Sequence, residues 1–245
     1  TIAFITLGCK VNQYDTQAMR EIAQQSGYEL VSESESADIY VVNTCTVTHT
    51  SDQKARRTIR KTIRENPNAK ILVTGCYADS DRKKIEEIEG VTLVFGNREK
   101  KHLVEYLRKL SESSNDVYSN AKSPLPPFPK GGIEGGFSLC KSKGQIFRSR
   151  QNLDIPYPPF HSEIPPAPFI KGGGITTFDG QTRALVKIQD GCSTFCTYCI
   201  VPYVRGPMTS RPIDDIVREV EALAQNGYQE VVITGVHLGA YGKDI

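Results

Sequence analysis

The pattern of hydrophobic and polar positions divides the chain into three stretches. Up to about residue 110 two periods alternate. Ile2–Thr6, Asp38–Asn43, Lys70–Thr74 and Val91–Phe95 are short runs rich in β-branched apolar residues, as expected of strands buried on both faces. Between them lie amphipathic stretches such as Gln17–Gln25 and Lys54–Glu65, where Ala55, Ile59 and Ile63 recur at the helical spacing. Strands alternating with helices predict an α/β fold: a doubly wound parallel-sheet domain over residues 1–115.

Both periods vanish over residues 116–178. Ten of the fourteen prolines and eight of the twenty glycines fall between Ala121 and Gly174. Pro127-Phe128-Pro129-Lys130-Gly131-Gly132-Ile133 is echoed by Pro168-Phe169-Ile170-Lys171-Gly172-Gly173-Gly174-Ile175. This composition predicts a disordered linker or inserted repetitive element, with a polyproline-type ligand as the functional alternative. Periodicity is expected again over 179–245. Arg183–Gln189 and Glu230–Thr234 read as strands, and Ile213, Ile216, Val217, Val220, Leu223 and Ala224 as the apolar stripe of a helix between them. Pro212 opens that helix and Gly227 closes it. The unit is βαβ. Two strands are too few for an independent parallel sheet, so the chain reads as cut short of its natural C-terminus.

Composition narrows the classes. Thirty Lys+Arg against 28 Asp+Glu give a net charge of +2, which excludes a polybasic arm but leaves room for a local basic groove. No run approaches the ~18–20 apolar residues of a membrane helix, and residues 1–9 lack the pattern of a signal peptide. Seven cysteines are an odd number and too dilute for a secreted disulfide scaffold. Reduced thiols and a cytoplasmic location are expected instead.

The cysteine positions carry the chemistry. Cys192, Cys196 and Cys199 lie in one loop, spaced C-x3-C-x2-C, directly after a predicted strand. Zinc ribbons use two separated pairs of ligands. A [4Fe–4S] cubane takes one thiolate per iron, so three cysteines leave one iron open to a substrate or cofactor. Cys9, Cys45 and Cys76 each follow a predicted strand, in Leu7-Gly8-Cys9, Asn43-Thr44-Cys45 and Thr74-Gly75-Cys76. All carboxyl ends of a parallel sheet share one edge. If these strands are neighbours, the three thiols converge and a second cluster with one open iron is expected. Zinc or incidental cysteines are the alternative at the loop, and three inert thiols at the strand ends. Cys140 reads as an incidental free thiol. Lys54, Arg56, Arg57, Arg60, Lys61 and Arg64 crowd one helix, a face able to meet phosphate or simply to be solvated.

The Gly191–Cys199 loop, with Tyr198 before its last cysteine, resembles the signature of the radical S-adenosylmethionine (SAM) enzymes. The resemblance implies the start of a partial (β/α) radical SAM barrel, with SAM bound at the open iron and cleaved to a 5′-deoxyadenosyl radical. It places Tyr198 beside the cluster or the SAM adenine, with a plain core contact as the alternative. Thr234 and Gly235, in Thr234-Gly235-Val236-His237, would lie near the SAM amino group, unless Gly235 serves only a tight turn. His237 is expected to be a solvated loop residue, with a base or ligand as the alternative. Arg205 and Arg211 flank the loop, where they meet phosphate or carboxylate or are merely solvated.

With both cysteine triplets, the chain resembles the radical SAM methylthiotransferases. Thr6-Leu7-Gly8-Cys9-Lys10-Val11-Asn12-Gln13-Tyr14-Asp15 and Gly235-Val236-His237-Leu238-Gly239-Ala240-Tyr241-Gly242 are similar to the subgroup acting on N6-threonylcarbamoyladenosine in tRNA. The resemblance implies two [4Fe–4S] clusters and SAM as cofactors. The cluster on Cys9, Cys45 and Cys76 would carry the sulfur. The product would be a 2-methylthio group at C2 of adenosine 37, beside the anticodon. It further implies tRNA as partner, an electron donor such as a flavodoxin or ferredoxin, and no membrane. The Pro/Gly-rich insert departs from the family pattern, and the rest of the barrel and the RNA-binding β-domain are not present, so the fragment itself is not expected to turn over. Competing readings are a different tRNA base, a protein side chain, or a non-catalytic metal or electron-transfer module.

Overall fold

The computed structural model describes residues 1–112, 174–178 and 180–245. The Pro/Gly-rich insert and Cys140 lie outside the described residues. Five strands, β1 (Ile2–Thr6), β2 (Leu30–Val31), β3 (Ile39–Thr44), β4 (Lys70–Gly75) and β5 (Val91–Val94), form one sheet in the order β2-β1-β3-β4-β5. Every pairing in it is parallel. The strands run apolar on both faces because both are covered. One face packs on Ala55 and Ile59 of α2 (His49–Glu65), Tyr77 and Ala78 of α3 (Cys76–Ser80), and Ile85 of α4 (Arg82–Glu86). The other packs on Met19 and Ala23 of α1 (Lys10–Gln25) and on Leu103, Leu107 and Leu110 of α5 (Leu103–Glu112). This is the doubly wound arrangement expected.

The second sheet has three strands, β6 (Ala184–Asp190), β7 (Thr209–Ser210) and β8 (Val231–Gly235), ordered β7-β6-β8. β6 and β8 are parallel, joined through α6 (Val201–Arg205) and α7 (Ile213–Gln225). β7 adds an antiparallel edge against Gln189 and Asp190. The helix α1 serves both sheets. Its Met19 and Ala23 face the first, while Tyr14 and Ala18 join Ile175, Phe178, Ala184, Val186 and Leu223 in the core of the second.

The stripe expected on α7 needs correction. Leu223 is buried and Ile216 and Val220 partly so, but Ile213, Val217 and Ala224 are exposed, and the fully buried position between them is Glu219. A carboxylate sits there because Arg211 and Tyr14 meet it: Arg211 Nη1 lies 2.5 Å from Oε2, and Tyr14 donates to the same oxygen at 3.1 Å. Among the described residues no helix is long and apolar enough to cross a membrane.

Candidate functional site

The strands that precede the first three cysteines are immediate neighbours. β3 lies between β1 and β4, with Thr6 opposite Asn43 and Asn43 opposite Thr74. The loops bearing Cys9, Cys45 and Cys76 therefore leave the sheet side by side at its carboxyl edge. Asn12 ties two of them together, its Nδ2 donating to the carbonyls of Leu7 (2.8 Å) and Thr44 (2.9 Å). Gly8 approaches so closely that a Cβ there would stand 2.6 Å from Cys45 Cβ and 3.0 Å from its sulfur. Gly75, before the third cysteine, has φ +99°, and a Cβ on it would run into the Thr44 backbone. Only glycine turns the chain here without strain.

Cys9 occupies the N-cap of α1 and is exposed; Cys45 and Cys76 are buried. Around Cys76 the surroundings oppose one another. Burial pushes its thiol up, while the charges of Arg205 and Lys100 pull it down. Asn97 Nδ2, 3.7 Å from the Cys76 sulfur, also donates to Asp79 Oδ2 (2.7 Å) and to the Val204 carbonyl (3.2 Å). Asp79 is itself pushed by burial up to about 6.

The second triplet lies beyond the carboxyl end of β6. Gln189 Nε2 donates to the Gly191 carbonyl at 2.7 Å, and its Oε1 accepts from the His237 backbone N–H at 2.7 Å. This one amide joins the cysteine loop to the loop after β8. Cys192 is buried, Cys199 half-buried and Cys196 exposed. The Cys192 N–H donates to the Gly206 carbonyl at 3.0 Å. His237, exposed as expected, brings its Nδ1 to 3.8 Å from the Cys192 sulfur.

Tyr198 is 90% exposed, so the alternative of a core contact is overturned. Thr234 is buried in β8. Gly235 ends that strand rather than forming a turn. Its small size serves close approach, since a Cβ would stand 2.9 Å from Leu238 Cδ2 and 3.1 Å from the Gln189 carbonyl oxygen. Arg205 and Arg211 are buried, and both meet carboxylates rather than solvent.

Residues that sequence reasoning missed lie between the two triplets. Asp15, buried on α1, is 3.0 Å from Lys100 Nζ, 2.5 Å from Lys187 Nζ and 3.3 Å from Arg205 Nη2. Lys187 and Arg205 both continue to Asp190, each at 2.9 Å. Burial alone would raise the Asp15 carboxyl, but its three cations overcome that and hold it well below the usual carboxylate range. The faint signal was Asp190, directly before Gly191-Cys192.

The donor chemistry fits an iron–sulfur cluster at each site: three thiols on loops held by buried amides, with cations beside the first set to offset anionic sulfur. The folded backbone brings the loops together. Among the described residues it does not yet group three Cys, His, Asp or Glu side chains closely enough to hold a metal ion.

Residues 1–96 match the sequence profile of Uncharacterized protein family UPF0004, and residues 186–243 match that of the Radical SAM superfamily. Over its whole length the chain is 37% identical to the threonylcarbamoyladenosine tRNA methylthiotransferase MtaB of Bacillus subtilis, covering 45% of that protein. It is 35% identical to the MtaB of Aquifex aeolicus, with 99% of this chain and 49% of that one aligned. It is 31% identical to a tRNA-2-methylthio-N(6)-dimethylallyladenosine synthase of Pseudothermotoga lettingae, covering 46% of that protein. The chain thus spans about half the length of the curated relatives it matches. Among solved structures, the radical S-adenosylmethionine methyltransferase TsrM of Kitasatospora setae shares the fold, with a TM-score of 0.54 at 17% identity over 97% of this chain and 48% of that one. The first profile thus covers the five-stranded sheet and the second the β6–β8 unit, in a chain that is similar along its length to tRNA methylthiotransferases.

Proposed function

We propose that the protein of which this chain forms part methylthiolates C2 of N6-threonylcarbamoyladenosine at position 37 of tRNA, with SAM and two [4Fe–4S] clusters. One observation carries the reading: three cysteines leave three adjacent parallel strands at one edge, in a chain that also bears a C-x3-C-x2-C loop after β6. Relatives whose names specify this tRNA nucleoside favour the substrate. In this reading Cys9, Cys45 and Cys76 hold one cluster, and Cys192, Cys196 and Cys199 the other. Thr234, Gly235 and the exposed Tyr198 line the SAM side of the second site. The domain limits proposed are residues 1–115, an insert over 116–178, and 179–245, although Ile175 and Phe178 at the end of the insert already pack in the core of the second sheet.

When bound, the two clusters and SAM supply a 5′-deoxyadenosyl radical and a sulfur donor, chemistry that no side chain offers. The chain's own residues prepare for this. Asn12 and Gln189 fix the loops on which the thiols stand. The exposed cations Lys54, Arg57, Arg60, Lys61 and Arg64 of α2 offer phosphate contacts, while Arg56 turns inward to the Tyr77 hydroxyl at 2.6 Å. A cytoplasmic location and a small electron-transfer protein as reductant belong to the same reading.

The test has two parts. Iron and acid-labile sulfide per chain are measured after anaerobic reconstitution, in the parent and in a Cys192/Cys196/Cys199→Ala variant. About eight irons are expected in the parent and about four in the variant. Zinc in place of iron, or no metal on a folded chain, overturns the reading. The full-length protein is then incubated with SAM labelled in its methyl group and with tRNA carrying or lacking the threonylcarbamoyl group. Label at adenosine 37 of the modified tRNA alone is the expected result. Label on a different base or in protein overturns the substrate, and SAM left uncleaved by loaded protein overturns the enzymatic reading.

A further inference from the structure

Three consecutive residues, Val204, Arg205 and Gly206, touch both cysteine sites. The Val204 carbonyl accepts from Asn97 Nδ2, the same group that lies against the Cys76 sulfur. The Gly206 carbonyl accepts from the Cys192 N–H. Between them, the Arg205 guanidinium is buried, with Nη1 on both oxygens of Asp190 (2.9 and 3.1 Å) and Nη2 on Asn12 Oδ1 and Asp15. Its positive charge also acts on the Cys76 and Cys9 thiols. Asp190, which it grips, accepts from the Gly191 N–H at 2.8 Å, one residue before Cys192. A loop arginine needed only to close the fold would be satisfied by the carboxylates. This one also holds Asn12 Oδ1, and the Asn12 amide ties together the loops that carry Cys9 and Cys45.

The charge balance points the same way. Three buried cations, Lys100, Lys187 and Arg205, are paired directly with two carboxylates, Asp15 and Asp190. Asp79, the next carboxyl, is bound to Asn97 and reaches Lys100 only at longer range. Buried charge is costly, so a cluster held on Cys9, Cys45 and Cys76 would meet positive charge already in place at the sheet edge.

We propose that Arg205 is a positioning residue shared by the two sites: its side chain supplies the positive charge facing the Cys9/Cys45/Cys76 site, and its neighbours' backbone sets where the Cys192 loop stands. The inference rests on the reading of those three cysteines as cluster ligands and goes beyond it. A fixed positive charge favours the reduced, more negative state of a cluster. The arginine therefore raises the reduction potential at the first site and binds it mechanically to the second.

The test isolates the first site in the Cys192/Cys196/Cys199→Ala background, with Arg205→Gln, Arg205→Lys or Asp190→Asn added. Each protein is reconstituted anaerobically, its iron counted, and the cluster titrated with dithionite and redox mediators while the reduced-state electron paramagnetic resonance is followed. Arg205→Gln is expected to retain about four irons and to lower the reduced-to-oxidised ratio at fixed potential about tenfold, a shift of about 59 mV for a one-electron couple. Arg205→Lys, which keeps the charge, recovers most of that shift. Asp190→Asn, which removes a negative charge, moves the potential the other way. A potential unchanged within twofold of the parent in both Arg205→Gln and Asp190→Asn overturns the inference while leaving the cluster assignment intact. Absence of iron from the background protein itself overturns the assignment beneath it. If Arg205→Gln does not fold, the sign of the Asp190→Asn shift decides, a rise supporting the inference and its absence refuting it.

Discussion

Replacing Asp15 by Asn keeps the shape of the side chain and removes the charge on which three buried cations converge. The distances are 2.5, 3.0 and 3.3 Å, and the carboxylate and all three partners are nearly inaccessible. At about 3 Å and an effective dielectric near 20, each contact is worth roughly 5 kcal/mol before desolvation is charged against it. Most of that gross attraction offsets the cost of burying the ions. The net loss on removing one partner of such a group is about 3–5 kcal/mol. With a urea m-value of ~2–3 kcal/mol/M, the unfolding midpoint should fall by about 1–2 M. The exposed pair Arg183–Glu230, at 3.3 Å with both side chains more than half exposed, is the control; Glu230→Gln should cost less than about 1 kcal/mol. The pH dependence carries a sign. Because the folded Asp15 value lies below its unfolded one, its stabilisation is complete above about pH 4 and fades only as pH falls through the depressed folded value. The difference between parent and Asp15→Asn should therefore stay flat from pH 8 to 5 and shrink only in stronger acid. Adding Lys187→Met should restore at least ~1 kcal/mol to Asp15→Asn, since the two sites are coupled. A midpoint shift under about 0.4 M, or strict additivity in the double variant, refutes the reasoning.

Further outcomes follow from other parts of the structure. Tyr14→Phe removes a hydroxyl that donates to Glu219 at 3.1 Å and accepts from Arg211 at 3.2 Å; a loss of about 1–2 kcal/mol in urea unfolding is expected. Gly75→Ala forces a side chain into the Thr44 backbone at positive φ; a loss of at least ~2 kcal/mol, or no soluble protein, is expected, against less than about 1 kcal/mol for Gly239→Ala, where a Cβ meets open space. Asp79 has its folded value raised to about 6, so the folded state takes up its proton first; between pH 6 and 4 this group makes folding more favourable as pH falls, and Asp79→Asn should flatten that part of the stability profile. If α2 meets tRNA phosphate, neutralising Arg57 and Arg60 should weaken tRNA binding and make the slope of log K against log salt shallower by about 0.7–0.9 per lost contact.

Much of the fold was legible because its strands are buried on both sides and its helices on one. β1, β3, β4, β6 and β8 match the predicted runs to within a residue at either end. The two-residue β2 and β7 are too short to carry a period. The start of α1 was missed for a different reason. Its first turns bury Asn12, Asp15 and Thr16, polar residues that look like a loop until their partners at the carboxyl edge of the first sheet and on β6 are known. The same masking hid Glu219 within the α7 stripe. At the candidate site, strand-end position and spacing singled out the six cysteines. The charges between them were illegible: Lys100 and Lys187 read as surface lysines, and only tertiary pairing across more than eighty residues of sequence shows otherwise.

The shared helix α1 has a consequence for synthesis. Asp15 and Tyr14 lie near the start of the chain, whereas Lys187, Arg205, Arg211 and Glu219 follow 172 to 205 residues later. At translation rates of about 5–20 residues per second, those partners leave the ribosome roughly 10–40 s after α1. Throughout that interval the nascent first sheet can form, but one side of α1 presents an aromatic ring without its partners and a carboxylate with only Lys100 of its three cations. Chaperones that hold such surfaces have a definite window in which to act on this chain, and it closes when β6 arrives.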